Sequence, residues 1–134
     1  MKNEEKPAAP VTIHYDEQGN PDGIRICALD EDFILKLHDE PCGYVNYAKA
    51  KKYSLPSRKM INVYAYYINE VKKLMVEAGG EPLVGLYWTE TPAEELFGAY
   101  GVNCQLIYYG TTGALTVNPT RIGTTQVRVA LALK

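Results

Sequence analysis

The hydrophobic positions between residues 58 and 78 recur at steps of three and four. They form one apolar stripe of a helix, made of Ile61, Tyr64, Ala65, Ile68, Val71, Met75 and Ala78. Ser57 precedes this stripe and is placed to cap the first turn. A Gly-Gly pair and then a proline end the pattern. The pattern therefore predicts a long helix over residues 58–78, after a shorter helix over residues 44–52.

Apolar runs of the strand type lie on both sides of these helices. Before them the pattern predicts strands at residues 11–15 and 24–29, while the apolar run 33–37 is too short to assign. After them, runs rich in β-branched and aromatic residues predict strands at residues 84–89, 99–109, 114–117 and 126–133. This order of strands, helices and strands favours an α+β fold over an alternating α/β fold.

The length of 134 residues predicts a single domain. We assign the domain to residues 11–134. The charged, proline-containing segment of residues 1–10 is expected to be a flexible arm that precedes it.

The predicted strand 99–109 divides its side chains between two faces, because successive residues of a strand point in opposite directions. The more apolar set is expected in the core: Tyr100, Val102, Cys104, Leu106 and Tyr108. The other set is expected at the surface: Asn103, Gln105, Ile107 and Tyr109. With the neighbouring loops, this second set predicts a polar-aromatic surface.

Charge and composition exclude several classes of function. The net charge of −2 gives no general attraction to nucleic acid or to an anionic membrane. The basic run between Lys49 and Lys59 is interpreted as a solvated helix end, with a phosphate-binding patch as the alternative. Because the first ten residues hold no apolar segment, we expect no signal peptide and no membrane insertion. A virion, a cell surface and the cytoplasm all remain open as locations.

Candidate catalytic and metal-binding groups are few. The two serines lie outside any nucleophile motif. Cys27, Cys42 and Cys104 are expected to be reduced thiols, with one disulfide and a free thiol as the alternative. A small enzyme that uses Cys104 is a weaker hypothesis, since a cysteine in a strand serves as a small core residue. The two histidines do not define a zinc site, and the acidic residues between 16 and 32 are interpreted as turns rather than calcium ligands. We therefore expect no catalysis, no metal and no cofactor.

Five groups of short motifs follow one another in a fixed order. In chain order they are Tyr53-Ser54-Leu55-Pro56-Ser57, Ile68-Asn69 with Ala78-Gly79-Gly80, Tyr87-Trp88-Thr89-Glu90-Thr91, Ala99-Tyr100 with Val102, and Val127-Arg128-Val129-Ala130-Leu131-Ala132-Leu133. They resemble the "W-x-LP-S" helix start, the helix end, the "YWSST" signature, the "AW-x-V" strand and the closing "VRPVLAL" strand of bacterial and phage C-type lectin-like domains. The resemblance covers about residues 23–133. It departs from the family pattern at Tyr53, Glu90 and Val129.

The resemblance implies a C-type lectin-like fold, with two helices packed on antiparallel sheets and paired N- and C-terminal strands. In this chain, residues 126–133 would pair with residues 24–29. The fold also resembles that of formylglycine-generating enzymes, but their paired catalytic cysteines have no match at Cys104. The calcium-binding motifs of lectin relatives are not matched either, since Glu81-Pro82-Leu83 has no "WND" partner.

Three residues are expected to have structural roles. Trp88 is the single tryptophan and is expected to be buried, with a hydrogen-bond partner for its indole N–H. Ser57 is expected to cap a helix, and Arg128 to pair with a carboxylate or a carbonyl group.

The resembled family also implies a ligand-binding region. It includes receptor-binding proteins diversified by phage-type retroelements, in which the region after the signature displays ligand-contacting side chains. Tyrosine, asparagine and threonine suit this use. The residues expected to contact a ligand are Glu90, Glu94, Asn103, Gln105, Tyr109, Thr111 and Thr112.

The leading expectation is a recognition module for a protein or glycan ligand. The alternative is a structural subunit of a phage particle, fibre or pilus. Such a subunit would assemble as a homo-oligomer, or with another particle protein, through the arm and the tyrosine face.

Overall fold

The structure is a computed structural model that describes residues 6–133. These residues form seven strands, four α-helices and one 3-10 turn. The elements are β1 (Val11–Tyr15), β2 (Pro21–Ala28), β3 (Glu31–Lys36), α1 (Tyr47–Ala50), α2 (Arg58–Tyr66), α3 (Ile68–Glu77), β4 (Leu86–Pro92), α4 (Glu94–Phe97), the 3-10 turn (Gly98–Gly101), β5 (Cys104–Tyr109), β6 (Leu115–Pro119) and β7 (Ala130–Ala132). The fold is α+β, the class that the order of the sequence patterns predicts.

Two antiparallel sheets organise the chain. The first sheet has the strand order β1-β2-β3-β7, and the second has the order β4-β5-β6. The segment before β7 links them, because the backbone N–H of Trp88 donates to Gln126 O at 3.0 Å and the N–H of Lys36 donates to Val129 O at 3.0 Å.

The expected pairing of the N- and C-terminal strands is wrong. β7 pairs with β3, with Phe33 opposite Ala132, and β1 lies at the opposite edge of the same sheet. The cause is the two-residue turn at Leu29 and Asp30, which pairs β2 directly with β3. β2 is then flanked by β1 and β3, so the C-terminal strand takes the free edge of β3 instead. The short run 33–37, which the pattern left unassigned, lies largely in β3, and β3 is the strand that pairs with the C-terminal strand.

The predicted long helix is interrupted, so the two predicted helices become three, and α4 is a fourth helix that the pattern did not predict. Tyr67 leaves helical geometry, with φ −105° and ψ 28°, and separates α2 from α3. Aromatic and β-branched residues favour helix only weakly, and several of them meet at this break. The rings of Tyr66 and Tyr67 stack there at 4.9 Å between centroids. At the other end, Ser57 Oγ accepts the N–H of Met60 at 3.2 Å, which matches the predicted cap.

The predicted strand 99–109 begins only at Cys104. Residues 94–101 form α4 and the 3-10 turn instead, and Gly101 lies so close to the backbone of Ala93 that any side chain there would clash. Tyr100 and Val102, expected in the core, are 96% and 50% exposed. Their predicted inward orientation is wrong, because a strand's alternation does not apply within a helical turn.

The hydrophobic core lies on both sides of the second sheet. Tyr87 and Tyr108 belong to a cluster shared with the first sheet, α2 and α3. Trp88 and Ile107 belong to a second cluster, with α1 and Val127. Because β5 is the central strand and both of its faces are covered, Ile107 is buried where the alternation predicts exposure.

Of the predicted arm, residues 1–5 lie outside the described residues. Residues 6–10 run beside the first sheet, and the N–H of Cys27 donates to Pro10 O at 2.8 Å.

Candidate functional site

Trp88 fixes the second sheet in the fold. Its side chain is fully buried, and its indole N–H donates to Val45 O at 2.8 Å. The ring of Tyr47 packs against it at 5.6 Å between centroids. This arrangement is the one predicted for the single tryptophan, and it anchors the loop before α1 to β4.

The strand β4 carries a bulge directly after Trp88. The pairing with β5 passes from Trp88 opposite Ile107 to Pro92 opposite Gln105. The hydroxyl of Thr89 donates to Leu106 O at 2.7 Å and accepts the N–H of Thr91 at 3.1 Å. Thr89 and Thr91 are therefore held by buried hydrogen bonds, and Glu90 between them is exposed.

Gln105 belongs to this bulge and not to a ligand-contacting surface. Its side chain is buried, and its amide donates to Thr89 O at 3.1 Å. The expectation that it faces a ligand is corrected here, because both faces of β5 are covered. Burial and the nearby charge of Glu90 raise the pKa of the neighbouring Tyr47 hydroxyl.

Arg128 ties three segments together beneath the sheets. Its guanidinium is fully buried and contacts Asp39 Oδ1 through Nε and Nη2, both at 2.8 Å. It also donates to Lys36 O and Glu81 O, each at 3.1 Å. The predicted pairing with a carboxylate and with carbonyl groups is present, so this arginine has a structural role.

The remaining six predicted contact residues separate into two groups. Glu90, Glu94 and Asn103 lie around the start of β5, whereas Tyr109, Thr111 and Thr112 lie at its end. β5 has six residues and spans about 17 Å, so the two groups do not form one small contact area. Thr112 accepts the N–H of Ala114 at 3.2 Å within the turn, and Thr111 borders an apolar groove beside α3.

The group at the start of β5 adjoins exposed apolar side chains that the sequence patterns did not identify. We call this end of the second sheet the distal surface. It consists of Glu90, Glu94, Leu96, Phe97, Tyr100, Val102, Asn103 and Ile122, all exposed. The signal available in the sequence was the apolar pair Leu96-Phe97 between Glu95 and Gly98, which lies outside the predicted strand 99–109. Tyr100 and Val102 were assigned to the core face of that strand.

The backbone of the distal surface is held at several points. Asn103 has φ +61° and its carbonyl accepts both the N–H and the hydroxyl of Thr120, at 3.0 and 3.1 Å. The N–H of Ala93 donates to Cys104 O at 3.1 Å. Arg58 Nε contacts Glu95 Oε2 at 3.1 Å and so joins α4 to α2. The exposed side chains are therefore carried by an anchored backbone, and asparagine suits the left-handed conformation at position 103.

The distal surface combines apolar area with charges of both signs. Glu90 and Glu94 are its acidic side chains, and Arg121 lines an open groove of about 360 Å³ with Asn103, Pro119 and Ile122. Large apolar side chains surrounded by polar groups are typical of interaction surfaces.

Reactive groups do not converge within residues 6–133. This range holds no group of three or more metal-binding side chains. The three cysteines are free and half-buried. Cys104 begins β5 of the second sheet, whereas His14 lies in β1 of the first sheet, 2.6 Å from Asp22. Within the same residues, no helix has the length and hydropathy needed to cross a membrane.

Neither a scan against protein-family models nor a search of curated proteins finds a match for this chain. The geometry of the site and the sequence motifs are therefore the basis for the functional proposal.

Proposed function

We propose that the chain is a C-type lectin-like domain that acts as a non-catalytic recognition module and binds a protein through its distal surface. The exposure of Tyr100 carries this proposal. Its side chain is 96% exposed although it stands in a turn whose backbone is packed against Ala93. Phe97 and Ile122 are also exposed, at 44% and 84%.

The family resemblance is supported by chemistry at two of its motifs. Trp88 of the signature is buried and hydrogen-bonded, and the threonines that follow it hold an irregular stretch of β4. Arg128 of the closing motif binds the chain around Asp39. These buried contacts hold β4 and the closing segment in place, and a recognition site needs an anchored scaffold of this kind.

A protein ligand fits this surface better than a glycan does. Tyrosine and other large apolar side chains supply most of the binding energy in protein interfaces. A glycan presents mainly hydroxyl groups and needs several polar side chains that converge on it. The distal surface offers more large apolar or aromatic side chains (Leu96, Phe97, Tyr100, Val102 and Ile122) than polar ones (Glu90, Glu94, Asn103 and the neighbouring Arg121), and its groove is open.

The proposal is tested by capture from surface extracts of the source cells, with the immobilised wild-type domain and three variants. Tyr100→Ser and Phe97→Ser are expected to weaken binding of the captured protein at least tenfold. Tyr66→Ser is the matched control, because Tyr66 is 67% exposed but lies on α2. A glycan array probed with the same proteins separates the two ligand classes. Equal binding by Tyr100→Ser and wild type, or binding to glycans alone, would overturn the proposal.

The alternative function, a structural subunit, is favoured by a different part of the molecule. Leu29 is exposed at one end of the first sheet, and an apolar groove beside α3 lies at the other end. These two features would allow the chain to assemble with itself.

A further inference from the structure

The hairpin turn between β2 and β3 contains a leucine at a position where leucine is unusual. Leu29 and Asp30 both have positive φ, 52° and 67°, as the two central positions of a type I′ turn require. Glycine and asparagine are preferred there because a larger side chain is strained in this conformation. Leu29 is nevertheless present, and its side chain is 61% exposed. The hairpin therefore presents an apolar side chain at a position where folding alone would favour another residue.

An apolar groove lies elsewhere on the surface, between α3 and the chain before β4. It has a volume of about 170 Å³ and is lined mainly by Val71, Met75, Val76, Leu83 and Val84. A dry apolar cavity of roughly 150 Å³ holds a benzene molecule, so this groove has room for the side chain of a leucine. Val76 and Val84 are 70% and 60% exposed at its mouth.

The charges beside the two features are complementary. Glu31 follows the hairpin turn directly, and Lys72 lies on the lining of the groove. A hairpin that enters the groove would bring a carboxylate towards this ammonium group.

The two features lie at opposite ends of the first sheet. β3 starts beside the turn and runs for six residues, about 17 Å. At its far end Leu37 O accepts the N–H of Glu81 at 2.9 Å, which places the chain that leads into the groove there. Leu29 therefore does not reach the groove of its own chain, but it is free to reach that of another copy.

We propose that Leu29 of one copy inserts into the groove of a second copy, so that the protein assembles head to tail. Such a contact joins two different surfaces, and it extends into open chains unless the rotation between copies closes a ring. One hairpin in one groove buries little area, so association is expected to be weak in dilute solution. It becomes effective where copies are held close together, as on a particle or an appendage.

The first test is sedimentation velocity of the full chain from about 0.05 to about 2 mM. The weight-average mass of the wild type is expected to rise with concentration. Leu29→Gly removes the inserted side chain and relieves the backbone strain, so it is expected to be at least as heat-stable as wild type while its association weakens at least tenfold. Val76→Glu places a carboxylate in the groove and is expected to weaken association to the same degree. Val117→Glu, on the exposed part of β6, is the matched control and is expected to associate like wild type.

The second test mixes the two deficient variants. Leu29→Gly keeps an intact groove and Val76→Glu keeps an intact Leu29, so an equimolar mixture is expected to form heterodimers that grow no further. A wild type that stays monomeric at about 2 mM, association that survives Leu29→Gly, or a mixture that stays monomeric would each overturn the proposal.

Discussion

The substitution Arg128→Met tests the network that joins the two sheets. Methionine keeps most of the volume of the arginine side chain but removes all of its donors. Asp39 then loses both contacts with the guanidinium, and Lys36 O and Glu81 O lose a donor. The hydroxyl of Tyr87 still donates to Asp39 Oδ2 at 3.0 Å, so the carboxylate keeps one partner.

The expected loss follows from the burial of the groups left behind. Removing one partner of a buried ion pair costs about 3–5 kcal/mol. The side chain of Asp39 is 25% exposed, so water compensates part of this loss. Two carbonyl groups without donors add to it. We expect the free energy of unfolding to fall by about 3–4 kcal/mol, a large part of the roughly 5–15 kcal/mol of a typical domain.

The assay is equilibrium unfolding in urea, followed by the fluorescence of Trp88. With a slope of about 2 kcal/mol/M, the midpoint is expected to fall by roughly 1.5–2 M. Asp39→Asn and the double variant complete a cycle, in which a coupling of about 1–3 kcal/mol is expected. Arg58→Met is the control, since the pair of Arg58 with Glu95 is exposed and should contribute less than about 1 kcal/mol. A loss at Arg128 no larger than that at Arg58, or a coupling near zero, would refute the reasoning.

Two further predictions concern the aromatic core. Trp88→Phe leaves Val45 O without its donor and opens space beside Tyr47. The free energy of unfolding, measured in urea, is therefore expected to fall by about 2–3 kcal/mol. A loss below about 1 kcal/mol would contradict the packing described for the indole. Burial raises the pKa of three tyrosines well above the ordinary value: Tyr64, Tyr87 and Tyr108. Above pH 10 the unfolded chain therefore binds fewer protons than the folded chain. The free energy of unfolding is expected to be unchanged below about pH 10. Above that pH it is expected to fall by up to about 1.4 kcal/mol for each tyrosine and each pH unit. Tyrosine ionisation is followed by absorbance at about 295 nm and the fold by circular dichroism, both recorded from about pH 8 to about pH 12. Complete ionisation of the tyrosines near pH 10 while the fold stays intact would contradict the prediction.

The sequence predicted those features that local chemistry restricts to few solutions. A serine before an apolar helical stripe caps the helix, as Ser57 does. A lone tryptophan in an apolar run is buried with a partner for its N–H, as Trp88 is. A charged side chain between two valines of a closing strand must pair if it is buried, and Arg128 pairs with Asp39. Each of these inferences depends on a few neighbouring residues.

The features that the sequence did not predict depend on which segments meet in space. Strand pairing was assigned wrongly because the hairpin at Leu29 gives β2 a partner that the short run 33–37 did not suggest. The faces of β5 were assigned wrongly because two separate core clusters cover it, so alternation no longer distinguishes Gln105 from the core. The distal surface was missed because Tyr100 stands in a tight turn, where the period of a strand has no meaning.

Site-specific photo-crosslinking at position 100 tests the central claim most directly. A benzophenone side chain is placed at position 100, and for comparison at position 109 or 66, in the otherwise unchanged domain. With surface extracts of the source cells, position 100 is expected to give one discrete protein adduct that excess wild type suppresses and Tyr100→Ser does not. Positions 109 and 66 are expected to give none. An adduct at position 109 in place of 100, or the same adducts at all three positions, would contradict recognition through the distal surface.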